Sequence, residues 1–549
     1  MTSQDHAATA SGGTLDILGP PEPTRPGRWQ NALVAVIGAA CVGIATTGTA
    51  VAFAFAGGGD QPEEVLPADV VAFLKIDLDP AARQKTAALE LAERFPDLGV
   101  DGEGDLRDDL LRQLLDGQEV DYDAQLRPWI GDRVAVAALP GSAEVEPVLV
   151  VQHEDREEAE RLLPELLADS GEPSFFAFSE RASYVVVAST QEVADRVAST
   201  TEVLADDEDY TADLDALDGD QVALAWGDVG RFWEGLPAQE RDLAATGLPA
   251  GFSPSGRAIL GLRLQDDAVE LVGRYRGLDL GNDALSTYML GTDTGTGDGL
   301  LTELPSGAVA ALSVAGLGEQ VQALLDLALS GFGSSEQNPA VTEGDLSELE
   351  EQLGISLPED LQALLGDEAA VGVYDGDGEP EVAARTRGGD PARGLQVAQQ
   401  LIDFAAVPDD PQSAQEVCLE YYDEAVAQGD LSASDFPREE FCAEVDGSRD
   451  QPQPDPVDPG AVAGLEDGVA FGSTDELLGR VAAGGLGDDE LFRRAVPEVD
   501  GASSVFFVDL QRALELVDET DDDLAALEAL GGTSTGGSDG GFTVRLTVR

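Results

Sequence analysis

The apolar positions of the chain are arranged in two ways. From Ala32 to Ala56 they run without a charge or a proline, as "ALVAVIGAACVGIATTGTAVAFAFA". At about 1.5 Å of rise per residue, a helix of that length crosses a hydrocarbon layer of roughly 30 Å. The run therefore predicts a transmembrane helix over residues 30–56. Elsewhere the apolar residues come in short, often alternating groups, each followed by a stretch with helical spacing. Alternation predicts half-buried strands, and the helical spacing predicts helices laid on them.

These short groups occur twice. "LRPWIGDRVAVAAL" (126–139) returns as "LQALLGDEAAVGVY" (361–374), and "LPADVVAFLKIDL" from Leu66 returns as "LPSGAVAALSVAGL" from Leu304. "YVVVASTQEVADRVA" from Tyr184 aligns with "GVAFGSTDELLGRVA" from Gly468. In both, Ser-Thr-x-Glu follows a strand and opens a helix, so Ser189 with Glu192 and Ser473 with Glu476 are expected to form capping boxes that satisfy otherwise orphan amides. "LDGDQVALAWGDVGRFW" from Leu217 pairs with "VDGASSVFFVDLQRAL" from Val499, and Asp228 and Asp509 stand where helix N-caps are expected. Each copy closes on alternating strands, "RAILGLRLQDDAVELVGRYRG" and "FTVRLTVR". Strand pairs joined by short turns, with helices between them, argue for an α+β fold. The expectation is one N-terminal transmembrane helix followed by two tandem repeat units, each an antiparallel sheet with helices packed on it.

The boundaries follow from this plan. Residues 1–29 form a cytoplasmic tail, 30–56 the membrane helix and 57–64 a linker. Residues 65–277 form the first unit and 278–300 a second linker containing "GTDTGTGDG". Residues 301–549 form the second unit, with an insertion at about 394–460. Arg25 and Arg28 precede the apolar run and acidic residues follow it, so the positive-inside rule puts the bulk of the chain outside the cell. "AFA", Ala54–Ala56, resembles a signal-peptidase site, but the length of the run favours retention of the anchor. The insertion is bracketed by Cys418 and Cys442. In an oxidising exterior two cysteines closing a loop of about 25 residues are expected to form a disulfide worth on the order of 3 kcal/mol.

Composition narrows the partners. The 549 residues include 107 acidic and 31 basic ones, for a formal net charge of −76, and Lys75 and Lys85 are the only lysines. Such a surface repels phosphate backbones, so nucleic acid is excluded as a partner. The expected partners are the membrane, through residues 30–56, and an envelope protein or a lipid.

Catalytic spacings are missing. The chain contains no HExxH, P-loop, CxxC or G-x-S-x-G pattern, and Ala72 and Ala82 stand where an S-x-x-K nucleophile would need serine. Only His6 and His153 are present, and His153 is expected at a helix entry. "YDGDGEPE" (374–381) lacks full calcium-loop spacing and is expected to be a hairpin turn. Trp129, Trp226 and Trp233 are expected in the core, because the second copy puts Leu364 and Val508 in place of the first two. No catalytic, cofactor or metal site is expected.

The membrane run followed by "LPADVVAFLKIDLDPAARQKTAALELAERFPDLG" and "LRPWIGDRVAVAALP" resembles the bacterial domain-of-unknown-function family 3352, common in actinobacteria, from about Val65 to the end. The resemblance implies a membrane-associated protein and supplies no site residues. The expected function is a single-pass envelope protein whose duplicated outer part binds or scaffolds without catalysis. The alternatives are a carrier for lipid or another apolar ligand, and a hydrolase of cell-wall glycans using paired carboxylates.

Overall fold

The computed structural model describes residues 60–549, except 79–81, 95–106, 109–110, 113–114, 116–119, 142–144, 170–173, 246–247, 250, 292–296, 298, 331–340, 377–379, 517–523 and, apart from Tyr422 and Val426, 406–459. The alternating runs form sixteen strands. The first eight are β1 (Ala72–Asp77), β2 (Ile130–Leu139), β3 (Glu146–His153), β4 (Phe175–Phe178), β5 (Tyr184–Ala188), β6 (Ala223–Asp228), β7 (Ser255–Gln265) and β8 (Ala268–Asp279). The second eight are β9 (Ala310–Ala315), β10 (Glu368–Asp375), β11 (Pro380–Arg387), β12 (Ala461–Gly464), β13 (Val469–Gly472), β14 (Ser504–Asp509), β15 (Leu527–Thr535) and β16 (Gly541–Val548).

All sixteen belong to one sheet, ordered β12-β13-β11-β10-β9-β14-β15-β16-β8-β7-β6-β1-β2-β3-β5-β4. Read outward from its centre, each half repeats the same order, with β9 in the place of β1 and so on to β16 in the place of β8. The halves meet where β8 pairs antiparallel with β16, from Ala268 opposite Thr547 to Arg274 opposite Gly541.

This corrects the expected fold class in two respects. The two copies do not build two sheets. β8 and β16 are long strands that would each leave a row of unpaired amides and carbonyls at an edge, and pairing them removes both edges. The transmembrane helix is not supported either: among the described residues no helix is long and apolar enough to cross a membrane, and residues 30–56 lie outside them. The expected linker 278–300 also contains a helix, Asp283–Leu290, opened by Asn282, whose side chain accepts from the Leu285 amide.

One face of the sheet is covered in the same way in both halves. Phe73, Ala137, Val150, Val186, Leu224 and Trp226 pack under α1 (Gln191–Ala198) and α2 (Glu208–Asp215). In α1 the apolar Val193, Ala194, Val197 and Ala198 fall on one side, at helical spacing, and all four are buried. In the second half Ala311, Ala370, Val505 and Phe507 pack under α3 (Asp475–Val481) and α4 (Glu490–Ala495), which contribute Leu477, Val481 and Phe492.

The repeated Gly-Asp pair has a packing cause. A Cβ on Gly131 would stand 2.9 Å from the Gln152 side chain of β3, and one on Gly366 would fall on the Arg387 carbonyl oxygen of β11. In both copies the hairpin partner passes too close for a side chain.

Candidate functional site

On its covered face the strand β1 carries one apolar residue and then two charged ones: Phe73, Lys75 and Asp77. A 3-10 turn, Pro62–Glu64, lies where the described chain begins and bears on those charges. Lys75 Nζ donates to Glu63 Oε1 at 2.6 Å and to Gln61 Oε1 at 3.3 Å. The Tyr210 hydroxyl of α2 donates to the same Glu63 oxygen at 3.1 Å. Next to this trio, Arg133 of β2 donates from Nε to Asp77 Oδ2 at 2.6 Å, and both residues are buried. Arg133 and the Tyr184 hydroxyl also donate to the Asp60 carbonyl oxygen, at 3.2 and 2.8 Å, and the Ser183 amide donates to Asp60 Oδ2 at 3.2 Å.

Aromatic rings wall this cluster. Tyr210 meets Phe73 and Trp226 edge-on, with centroids 5.6 and 5.7 Å apart. Trp226 Nε1 donates to Asp213 Oδ2 at 3.0 Å, and Arg257 of β7 and Arg276 of β8 reach the same carboxylate at 2.8 and 3.0 Å. Burial pushes the Tyr184 hydroxyl far above the usual phenol range against the opposing pull of Arg133. It does the same to Tyr210, where Glu63 adds to it. Both therefore stay protonated donors at any physiological pH.

The second half repeats the plan with other residues. Its 3-10 turn, Leu300–Glu303, places Glu303 against Arg385 of β11, Nη1 to Oε2 at 2.7 Å, and against Arg387. Arg387 also reaches Asp467 at 3.3 Å and Glu368 at 3.6 Å. Glu368 stands where the first copy has Arg133, so the buried charge at that position is reversed; Ala315 stands in the place of Asp77, and the opposite charge comes from Arg387 of β11 instead. In each half, then, an acid on a 3-10 turn pins the incoming chain to bases on the sheet. Chemically this is a clamp: its buried charges are neutralised by one another, which is what makes such burial tolerable. Among the described residues, no group of three or more His, Cys, Asp or Glu side chains is placed to hold a metal ion.

The residues singled out from sequence lie elsewhere. Cys418 and Cys442 fall outside the described residues. The expected caps are displaced by one position. Thr190, not Ser189, accepts from the Val193 amide, and Thr474, not Ser473, accepts from the Leu477 amide. With Thr190 and Thr474 as the extended N-caps, Glu192 and Glu476 sit at the second helical position, one short of the place a capping box needs. Ser473 instead bridges to β11, its hydroxyl accepting from the Val382 amide at 3.0 Å. Asp228 caps the helix Val229–Gly235, accepting from the Arg231 amide, and Asp509 accepts from the Arg512 amide at 3.1 Å. His153 ends β3 with its ring edge-on to Phe178 at 5.3 Å, and Trp129 and Trp226 are buried. The segment 374–381 is the β10–β11 hairpin connection.

Sequence reasoning missed the clamp. The signal was present: in "VVAFLKIDL" the charges of Lys75 and Asp77 share the parity of Phe73, so burying the one side buries the others.

No curated protein and no solved structure matches the chain. The resemblance extended from Val65 to the end, whereas the family match is confined to the first part and takes in the apolar run. Residues 32–178, about a quarter of the chain, match the model of the family described as a protein of unknown function (DUF3352).

Proposed function

We propose that the chain is a non-catalytic binding or scaffolding protein of the cell envelope, with its sheet on the outer side. The observation that carries the scaffolding part is the clamped, continuous sheet. Sixteen strands share one hydrogen-bonded ladder, and the chain enters each half through a turn tied to buried bases. Such a body holds two similar halves in a fixed relation, which suits presentation of surfaces rather than turnover. The envelope location rests on the sequence alone, on the uncharged stretch 32–56 and the arginines before it.

The test uses the full chain. Incubated with cell-wall glycan and with lipid extract, and followed by mass spectrometry, it is expected to leave the glycan intact and to carry no stoichiometric lipid. Glycan cleavage makes it a hydrolase, bound lipid a carrier, and either result ends the scaffold reading. For location, protease added to intact cells is expected to cut the described part. A chain found in the soluble cytosolic fraction refutes that element.

A further inference from the structure

The two halves share a strand order but not a surface. On the face of the sheet opposite the clamps, cross-strand partners form an unbroken transverse row. It includes Val371, Leu312, Phe506, Gly532 and Val544 in the second half, and continues through Leu271, Leu262, Ala223, Ile76 and Val134 in the first. In the first half the helix Ala82–Arg94 lies on this row, its Ala87, Ala88 and Leu91 packing with Ile76, Ala223 and Leu262 and reaching Val548 beyond the join. Its counterpart after β9, the helix Leu317–Leu329, packs instead against the helices Asp283–Leu290 and Glu359–Leu365. Leu312 and Val371, the equivalents of Leu74 and Val136, are 43% and 38% exposed, whereas Leu74 and Val136 are half-buried.

The exposure extends to the helices around them. Of the nine large apolar side chains exposed among the described residues, eight lie beyond Leu280, and only Phe175 belongs to the first half. They include Leu324 and Leu329 on the helix Leu317–Leu329, Leu349 on Glu343–Leu353 and Phe404 on Pro391–Ala405. These helices pack on one another through Glu359–Leu365 and Pro391–Ala405, so the exposed residues belong to one helical layer. Exposed apolar surface concentrated in this way marks a place where something else binds.

Charge decides what. The helix Glu343–Leu353 carries Glu343, Asp345, Glu348, Glu350 and Glu351 and no base, and Leu317–Leu329 carries Glu319 and Asp326 and no base. Arg393 is the one cation in these four helices, and it is held by Asp360, with Nε to Oδ1 at 2.6 Å. A second copy of a chain with net charge −76 is repelled, and so is an anionic lipid surface. The chain's own insertion, residues 406–459, has only Arg438 and Arg449 among many acids, so it lacks the charge that would complement this surface. An apolar surface ringed by carboxylates matches a helix with one apolar side and basic flanks.

We propose that the helical layer of the second half is a docking surface for a basic, amphipathic segment of a partner protein. The proposal rests on the scaffold reading and names its ligand. The test uses the full chain and a dye-labelled Leu/Lys peptide of about eighteen residues, enough for five helical turns. It is compared with a scrambled peptide of identical composition at about 0.15 M salt, where exposed charges are screened beyond about 8 Å. The amphipathic peptide is expected to bind at least about tenfold tighter, as fluorescence anisotropy reads it, a preference worth about 1.4 kcal/mol. The paired substitution Leu324→Glu and Leu349→Glu removes the preference, while Phe175→Glu in the first half keeps it. Because these side chains are on the surface, circular dichroism is expected to be unchanged in all variants.

Equal binding of the two peptides overturns the proposal, since charge alone then accounts for it. So does a preference that survives the paired substitution, or one abolished by Phe175→Glu. Sedimentation showing a dimer that Leu324→Glu dissociates makes the occupant a second copy and also overturns it. A failure here leaves the glycan and lipid assays unaffected, so it is distinguishable from failure of the scaffold reading.

Discussion

Removing the buried guanidinium of Arg133 is the most direct test of the clamp. Arg133 is 2% exposed and Asp77 is 5% exposed, with Nε and Oδ2 2.6 Å apart. Arg133→Met keeps the length and apolar bulk of the side chain but strands the Asp77 carboxylate in the interior. Breaking a buried pair from one side costs about 3–5 kcal/mol, because the remaining charge stays out of water without the guanidinium that offset it. The bond to the Asp60 carbonyl adds on the order of 1 kcal/mol. Against a native stability of about 5–15 kcal/mol, that loss is a large fraction of the whole. The double variant Asp77→Leu with Arg133→Met buries no unpaired charge and is expected to recover most of the loss. Equilibrium denaturation in urea, followed by circular dichroism, reads both. A loss below about 1 kcal/mol for Arg133→Met refutes the reasoning. So does a double variant no more stable than the single one, because the cost would then lie in packing rather than in the abandoned carboxylate.

Other consequences are checked more simply. Tyr184→Phe removes a donor to the Asp60 carbonyl and is expected to speed proteolytic cutting near residue 60 with little change in global stability; no change in cutting counts against the clamp. At the join, Arg545 of β16 meets Glu270 at 3.0 Å and Asp267 at 3.1 Å on the β8 side. Arg545→Ala is expected to cost about 1–3 kcal/mol, with the halves still unfolding in one transition; two separate transitions refute the continuous sheet as a cooperative unit. Burial lowers the pKa of His153, with Arg156 adding to the effect, so the unfolded chain takes up the proton first. Stability is therefore full above about pH 6.5 and falls as pH drops below it, and His153→Gln should flatten that limb of the denaturation midpoint against pH. With net charge −76, added salt should raise the melting temperature by screening self-repulsion, and an unchanged value between low and molar salt contradicts this.

Much of the architecture was readable along the chain because it depends on neighbours in sequence. The alternating runs became strands, the Asp228 and Asp509 caps fell where a helix follows a strand, and the repeated Gly-Asp pairs marked the same hairpin in both halves. Local pattern reached its limit at single positions. It placed the caps at Ser189 and Ser473, because it cannot tell which of two adjacent hydroxyl residues accepts from the first turn of the helix.

What only the tertiary structure decided are the contacts between distant residues. Arg545 and Glu270, or Arg133, Asp77 and Asp60, are brought together by strand register, and no periodicity specifies which edge finds which. For the same reason the amino-acid order predicts two sheets where there is one: the pairing of β8 with β16 satisfies backbone groups whose partners lie some 270 positions away. It was equally blind to the bare side of the second half. Leu312 is as apolar as Ile76, and whether a helix comes to rest on it depends on where the neighbouring helices pack.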